Sequence, residues 1–278
     1  AFNEESIKNA KARAEIEAKN AFEYLKSKLN SFSNAFFIGT APELYIRETR
    51  HIQGEYILQA SDLLSGINFE DKIAMASYPV DIQSTNKNNN GQIIFKPDQY
   101  SIPYRCIVPK NIDNLFIIGK SASYSSVAAG SARVVPVGMV VGESAGTIAV
   151  YSIKNSLTPR NIIGNNKALK EITDKLVNQG VYLPDYTPNS DYANMTGFEE
   201  ISELVNYGII SGGYDNNFKF DSIATQIESL DIIKNFASRK YGMNVSKINQ
   251  RLEAYSSQDE IDAVTLIRMI YSIKNDDN

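Results

Sequence analysis

The pattern of apolar and polar positions divides the chain into a long helical opening, a run of short extended segments, one apolar helix striped with glycine, and a polar helical tail. Residues 4–29 are rich in Ala, Glu and Lys, contain no Gly or Pro, and carry Ile7, Ala10, Ala14, Ala18, Phe22 and Leu25 along one stripe. Steps of three and four predict a helix packed on one side. Short apolar runs at Phe36–Ile38, Tyr45–Ile46, Ile57–Leu58 and 72–79 predict strands, the first of them stopped by Gly39 to Pro42. Residues 83–92 (QSTNKNNNGQ) hold no core-forming side chain and predict a polar loop or hairpin tip. Across 93–110, Pro97, Pro103 and Pro109 exclude helix and predict two short extended segments.

The stretch Asn114–Tyr151 organises the rest. Leu115–Ile118 predicts a short buried strand ended by Gly119, followed by a small-residue loop. A helix is predicted from near Arg133, with Pro136 in its first turn, where a missing N–H costs little. Gly138, Gly142 and Gly146 recur at a spacing of four and so share a face of that helix. Each interior Gly costs a helix about 1 kcal/mol relative to Ala. Three in register therefore imply a close neighbour, and the expectation is that the stripe packs on a strand while the helix N-terminus faces a flat cofactor. Beyond Tyr151 come a turn at Ser156–Pro159, an amphipathic helix over 165–178 closed by Gly180, and a linker at Leu183–Pro188. A small helical unit follows, with helices at 198–206 and 225–239 around the Gly208–Gly213 turn. A last helix is predicted to run to Lys274, its start given by the capping-box spacing of Ser257 and Glu260.

Composition narrows the functional classes. With 28 basic and 32 acidic residues, the chain has no electrostatic footprint for nucleic acid. Its apolar runs are interrupted well short of the ~20 residues of a bilayer span, so no transmembrane segment is expected. A lone cysteine, Cys106, excludes an internal disulfide and any multi-cysteine metal site, but it does not fix a compartment. No metal site is expected.

Gly142-Glu143-Ser144-Ala145-Gly146 matches the nucleophile elbow of serine esterases. The elbow requires a histidine downstream of its serine, and the single histidine, His51, lies upstream. The register of the glycines also favours one continuous helix, so this reading fails. Arg47, Arg50 and His51 beside Glu48 and Glu55 leave two readings open, structural ion pairs or a site for a carboxylate substrate or cofactor phosphate. A flavin accounts for the central stretch. The partial positive charge of a helix N-terminus suits the electron-rich N1–C2=O edge of an isoalloxazine, and the bulkless run Ala128–Ala132 leaves room for a planar ring.

Four ordered blocks carry a family resemblance: YIRETRHIQGEY (45–56), YPVDIQ (78–83), IPYRCIVPKNIDNLFIIGKSAS (102–123) and AAGSARVVPVGMVVGESAG (128–146). Together they resemble the C-terminal half of a bacterial FAD-dependent oxidoreductase family. The resemblance implies FAD as cofactor and a small-molecule substrate. Carried over by position, it implies Gly119, Lys120, Ser131, Arg133, Val134 and Gly138 on the cofactor side and Arg47, Arg50 and Arg105 as catalytic or substrate-orienting arginines. His51, Lys120 and Gln83 depart from the family pattern, which leaves the substrate open. The family's dinucleotide-binding G-x-G-x-x-G is not found in these residues. The chain is therefore expected to be a C-terminal fragment, inactive alone, whose partner is the N-terminal FAD-binding half of the same protein.

Residues 198–236 resemble an S-layer homology repeat, with Gln226 where that pattern has Arg. The tail implies possible partnership with a cell-wall polymer through 185–278. It also motivates an alternative, a non-catalytic wall-associated protein on an oxidoreductase scaffold. The expected fold is α+β: a partial FAD/NAD(P)-binding α/β domain with a mixed-β substrate region at 1–184, and a small all-α module at 185–278.

Overall fold

A computed structural model describes residues 3–83, 91–188 and 191–274. Most of the expected polar tip, 84–90, lies outside the described residues. The chain forms two compact units, Ala1–Arg47 and Glu48–Asn278.

The first unit is built on α1 (Glu4–Lys28), the helix its stripe predicts. Asn3 caps it by accepting the Ser6 N–H at 2.7 Å, and Glu4 and Glu5 at the start with Lys26 and Lys28 at the end complement the helix dipole. Phe22 meets Phe37 with ring centroids 5.8 Å apart, and the Lys26 ammonium donates to the Ala35 carbonyl. The predicted strands at Phe36–Ile38 and Tyr45–Ile46 are not strands; both are irregular chain.

The second unit holds α2 (Ala60–Ser65), β1 (Lys72–Ala76), β2 (Asp81–Ile82), β3 (Gln92–Ile93) and β4 (Tyr100–Pro103), then α3 (Ser126–Ala132), α4 (Val135–Lys154), α5 (Pro159–Ile162) and α6 (Asn166–Asn178). The remaining helices are α7 (Phe198–Asn206), α8 (Gln226–Tyr241), α9 (Val245–Leu252) and α10 (Ala263–Lys274). Strands β1 and β4 pair antiparallel with a bulge between Lys72 and Ala74, and β2 pairs with β3. The architecture is α+β with helix predominant. Among the described residues there is no parallel sheet, and the predicted strand at Ile57–Leu58 is a single parallel bridge from Leu58 to Tyr124.

One face of α4 lies on β1. Val137, Val141, Ser144 and Ile148 are buried there, and the Ser144 hydroxyl donates to the Ile73 carbonyl at 2.7 Å. This places Gly142–Gly146 in mid-helix with its serine fully buried, a position from which no nucleophile could act. The core beneath gathers Leu58, Leu63, Phe95, Tyr100, Ile102, Tyr104 and Leu176 at zero exposure. Helix α6 packs on α4 through Ala168, Ile172 and Leu176, and the Thr147 hydroxyl donates to Gln179.

Two expectations are corrected here. Leu115–Ile118 is extended but joins no ladder, and Leu115 and Ile118 are exposed rather than buried. The last helix begins at Ala263, not near Ser257, because Ser257 closes a local turn with Asp259 while Asp262 accepts the Thr265 N–H as the true cap. The expected linker leads into residues that share the main core: Val205 is fully buried in it, with Tyr192, Phe198, Ile201, Ile210 and Phe218 packed around. A second, smaller core of Leu230, Ala237, Ile248, Leu252 and Met269 joins α8, α9 and α10. No single described helix is long and apolar enough to cross a membrane; α3 and α4 pass that test only together and are bent by 90°.

Candidate functional site

Three irregular segments, 51–58, 104–110 and 119–125, are knitted by backbone hydrogen bonds into the platform that carries the candidate site. The Ile52 N–H donates to Ser121, Leu58 to Ser123, Glu55 to Val108, Tyr56 to Arg105 and Ser123 to Cys106, at 2.9–3.3 Å. Gly54 is obligatory in this weave. A Cβ there would stand 2.7 Å from Ser123 Cβ and 3.0 Å from the Arg105 carbonyl, closer than atoms approach. The platform therefore holds the turn Gly119–Ser121 in place, and Gly119 takes φ +66°, a conformation glycine adopts without strain. No atom lies within 4 Å of where its Cβ would be, so this turn presents bare backbone to open space.

His51 fastens that turn to the segment before it. Its Nδ1 faces the Ala122 carbonyl and its Nε2 faces Glu48 Oε1, each at 3.1 Å. Only the imidazolium can donate to both acceptors. The Glu48 hydrogen bond, helped by the Ala122 carbonyl and the carboxylate's charge, outweighs burial and raises the His51 pKa above its ordinary value. Burial pushes Glu48 up, but hydrogen bonds from His51 and Ser126 and the charges of His51 and Arg133 bring it below its ordinary value. Glu48, His51 and Arg133 thus form an alternating-charge group beside the α3–α4 corner. Glu48 and His51 belong to the charged run whose reading the sequence left open, and for these two the structure shows an ion pair. Their i, i+3 spacing, with a His at the end of an Arg-rich run, was the available signal.

The cofactor-side candidates converge at that corner. Arg133 ends α3 and donates to the Asp81 carbonyl at 3.1 Å. Val134 occupies the N-cap of α4 and makes no side-chain capping bond; Pro136 follows in the first turn. The N-terminal N–H groups of a twenty-residue helix are therefore claimed by no capping side chain. Gly138 has nothing within 4 Å of its Cβ position. Lys120 sits in the glycine turn, half-buried. Ser131 is turned inward: fully buried, its hydroxyl lies 2.7 Å from the Tyr100 hydroxyl and donates to the Tyr78 carbonyl. The floor expected from Ala128–Ala132 is likewise internal. These residues form helix α3 and are buried, with Gly130 against Asp81 and Ile82, so the run packs on the β2–β3 hairpin and leaves no face for a ring.

Each of the three arginines has surroundings of its own. Arg105 makes a forked pair with Asp71 at 2.9 and 3.1 Å and lies over the rings of Tyr56 and Phe69. Arg47 belongs to the first unit, where it lies over Tyr45. Arg50 is exposed and has no carboxylate partner among the described residues, since Glu48 is taken by His51 and Glu55 by Arg160. Nearby, Tyr56 donates to both oxygens of Asp62, whose pKa burial nevertheless raises. Burial also pushes the Cys106 thiol far up, which keeps it protonated and inert.

The glycine stripe has a face of its own. Val135, Met139, Gly142, Gly146, Val150 and Ile153 follow at steps of four and three and share one side of α4. Val135, Met139, Val150 and Ile153 are exposed there, and nothing lies within 4 Å of a Cβ at Gly138 or Gly146. Only Gly142 has a neighbour, Ile118 Cδ1 at 3.7 Å. The expectation that the stripe packs on a strand is not met: its one neighbour, Ile118, lies in chain that joins no ladder.

The profile of the FAD dependent oxidoreductase family matches residues 3–176. The chain belongs to that family. No curated protein and no solved structure matches it. The family implies FAD, and the residues present fit its ring edge, with an uncapped helix start at Val134–Pro136 and bare backbone at Gly119.

Proposed function

We propose that this chain supplies the flavin-ring side of the FAD site, and part of the substrate site, of an FAD-dependent oxidoreductase. When bound, FAD would supply the hydride or electron transfer. The chain's residues would hold and bias it. The α4 N-terminus and the Gly119 turn would offer N–H groups to the electron-rich edge of the ring, and Arg133 would add positive charge, which favours a reduced, anionic ring. Arg50 would orient a small anionic substrate. The remaining FAD-binding half would cover the open face of α4.

The observation that supports this most is that face: an exposed Val, Met and Ile stripe with a glycine floor, running beside the extended and unladdered Leu115–Ile118. Exposed apolar faces of that length on soluble domains mark contact surfaces. The test is Met139→Glu with Ile153→Glu. In the 278-residue chain the pair should leave stability nearly unchanged, since both side chains are exposed. In a longer protein carrying the partner half it should abolish retained FAD. Full FAD retention by that double variant would refute the proposal.

A further inference from the structure

The geometry points to a role for residues 192–218 as a brace of the α3–α4 corner. On this reading the tail segment that looks like a separate module is a working part of the flavin site, because it fixes the β2–β3 hairpin against α3. The inference rests on the flavin-side reading of that corner.

The hairpin needs support. Its ladder is two residues per strand, extended by Val80 N–H to Phe95 and Ile94 N–H to Val80, and a two-stranded hairpin is marginal alone. Its inner strand meets the corner directly. Gly130 backs onto Asp81 so closely that a Cβ would stand 3.1 Å from the Asp81 carbonyl and from Ile82 Cδ1, and Arg133 donates to that same carbonyl. The outer edge, 93–96, is an exposed row of backbone donors and acceptors unless something covers it.

The tail covers it. The Ser211 hydroxyl donates to Ile93 O at 2.8 Å, and the Gly212 and Gly213 N–H groups converge on Ile94 O at 2.8 and 3.2 Å. The Asn216 side chain then brackets Lys96, accepting its N–H and donating to its carbonyl, each at 2.8 Å, in the manner of a neighbouring strand. Asn216 is itself held by the Tyr192 hydroxyl on its carbonyl. The turn has no slack: a Cβ on Gly212 would fall 2.8 Å from the Asn216 backbone. The segment also touches the corner's own helix. A Cβ on Gly208 would meet Val127 of α3 at 3.4 Å, Val205 is fully buried in the common core, and Asn206 accepts the Ser61 N–H at the start of α2. Tail, hairpin and α3 therefore form one three-way junction, with Arg133 and Val134 at its exit. The Gly208–Gly213 turn spends its polar groups on this junction.

The test is Asn216→Gly in the full chain. Asn216 has φ +54°, so glycine keeps the backbone and removes only the two bonds to Lys96. Lys219→Gly, at φ +58° three residues on with an exposed side chain, is the control. Amide hydrogen exchange at 80–82 and 128–134 should quicken roughly tenfold or more in the first variant and not in the control. FAD affinity, measured separately by flavin fluorescence on the FAD-competent protein, should fall roughly in step. Unchanged exchange in Asn216→Gly would overturn the brace and leave the flavin reading untouched. Faster exchange with unchanged FAD affinity would overturn the link between the brace and the cofactor. A protein that binds no FAD at all, with exchange quickened as predicted, would sink the flavin reading and keep the brace.

Discussion

Replacing His51 by Gln should destabilise the second unit at mildly acid pH and much less in alkali. The magnitude follows from two hydrogen bonds at 3.1 Å, one to a carboxylate and one to the Ala122 carbonyl. Bonds to charged groups contribute about 1.5–3 kcal/mol when buried and neutral ones about 1. The imidazole is 15% exposed and Glu48 34%, so solvent screening brings the sum down to roughly 1–2 kcal/mol. The sign of the pH dependence is set by the two shifts. His51 is raised from 6.5, so its contribution is complete below that value and is lost as pH climbs through the folded-state pKa. Glu48 is lowered from 4.5, so its contribution is complete above that value and is lost as pH falls through its folded-state pKa. The pair therefore stabilises most between about 4.5 and 6.5. Above that window a neutral imidazole can donate to only one of its two acceptors. Urea unfolding of the wild type and His51→Gln at pH 5.5 and pH 9 measures the difference. The gap between them should narrow in alkali, and a gap of equal size at both pH values would refute the charged-clamp argument.

Other substitutions separate structural from functional residues. Ser144→Ala should cost about 1–2 kcal/mol through the lost bond to the Ile73 carbonyl, with no change in esterase activity, which should be absent from both proteins. Gly130→Ala should destabilise by about 1–3 kcal/mol because its Cβ meets the Asp81 backbone, whereas Gly146→Ala, facing open space, should stabilise the isolated chain by about 1 kcal/mol in thermal melts. Arg105→Ala should cost about 2–3 kcal/mol by stranding the nearly buried Asp71, while Arg50→Ala should leave stability within about 0.5 kcal/mol and act only on substrate affinity.

What the sequence disclosed and what it hid follow from how local each signal is. The helices at 4–28, 166–178, 198–206 and 226–241 were legible because each carries its own stripe, and all but 198–206 a side-chain cap; Thr225 and Glu228, for instance, close a reciprocal box. Of the short strands, the one read at 72–79 is β1, whereas Tyr45–Ile46 and Leu115–Ile118 are apolar but not strands, because pairing is a property of two segments. The proposed cofactor-side residues Gly119, Arg133 and Val134 flank a glycine turn and a helix start, both readable locally. The fates of the arginines were hidden. That Asp71 would claim Arg105, and that His51 rather than Arg50 would claim Glu48, depends on residues brought together by the weave of 51–58, 104–110 and 119–125. The small-residue run 128–132 misled for the same reason: absence of bulk shows that something packs closely, and here that something is Asp81 and Ile82.

The central claim, that the Gly119 turn and the α4 N-terminus form the flavin-ring side of an FAD site, is tested most directly by flavin content. The full-length protein should purify yellow with about one FAD per chain, and Gly119→Val, which forces a branched side chain into φ +66° and into the open space beside the turn, should remove the colour while the protein stays folded. A colourless wild type that takes up no added FAD, or a Gly119→Val protein that holds FAD as tightly as the wild type, would contradict it.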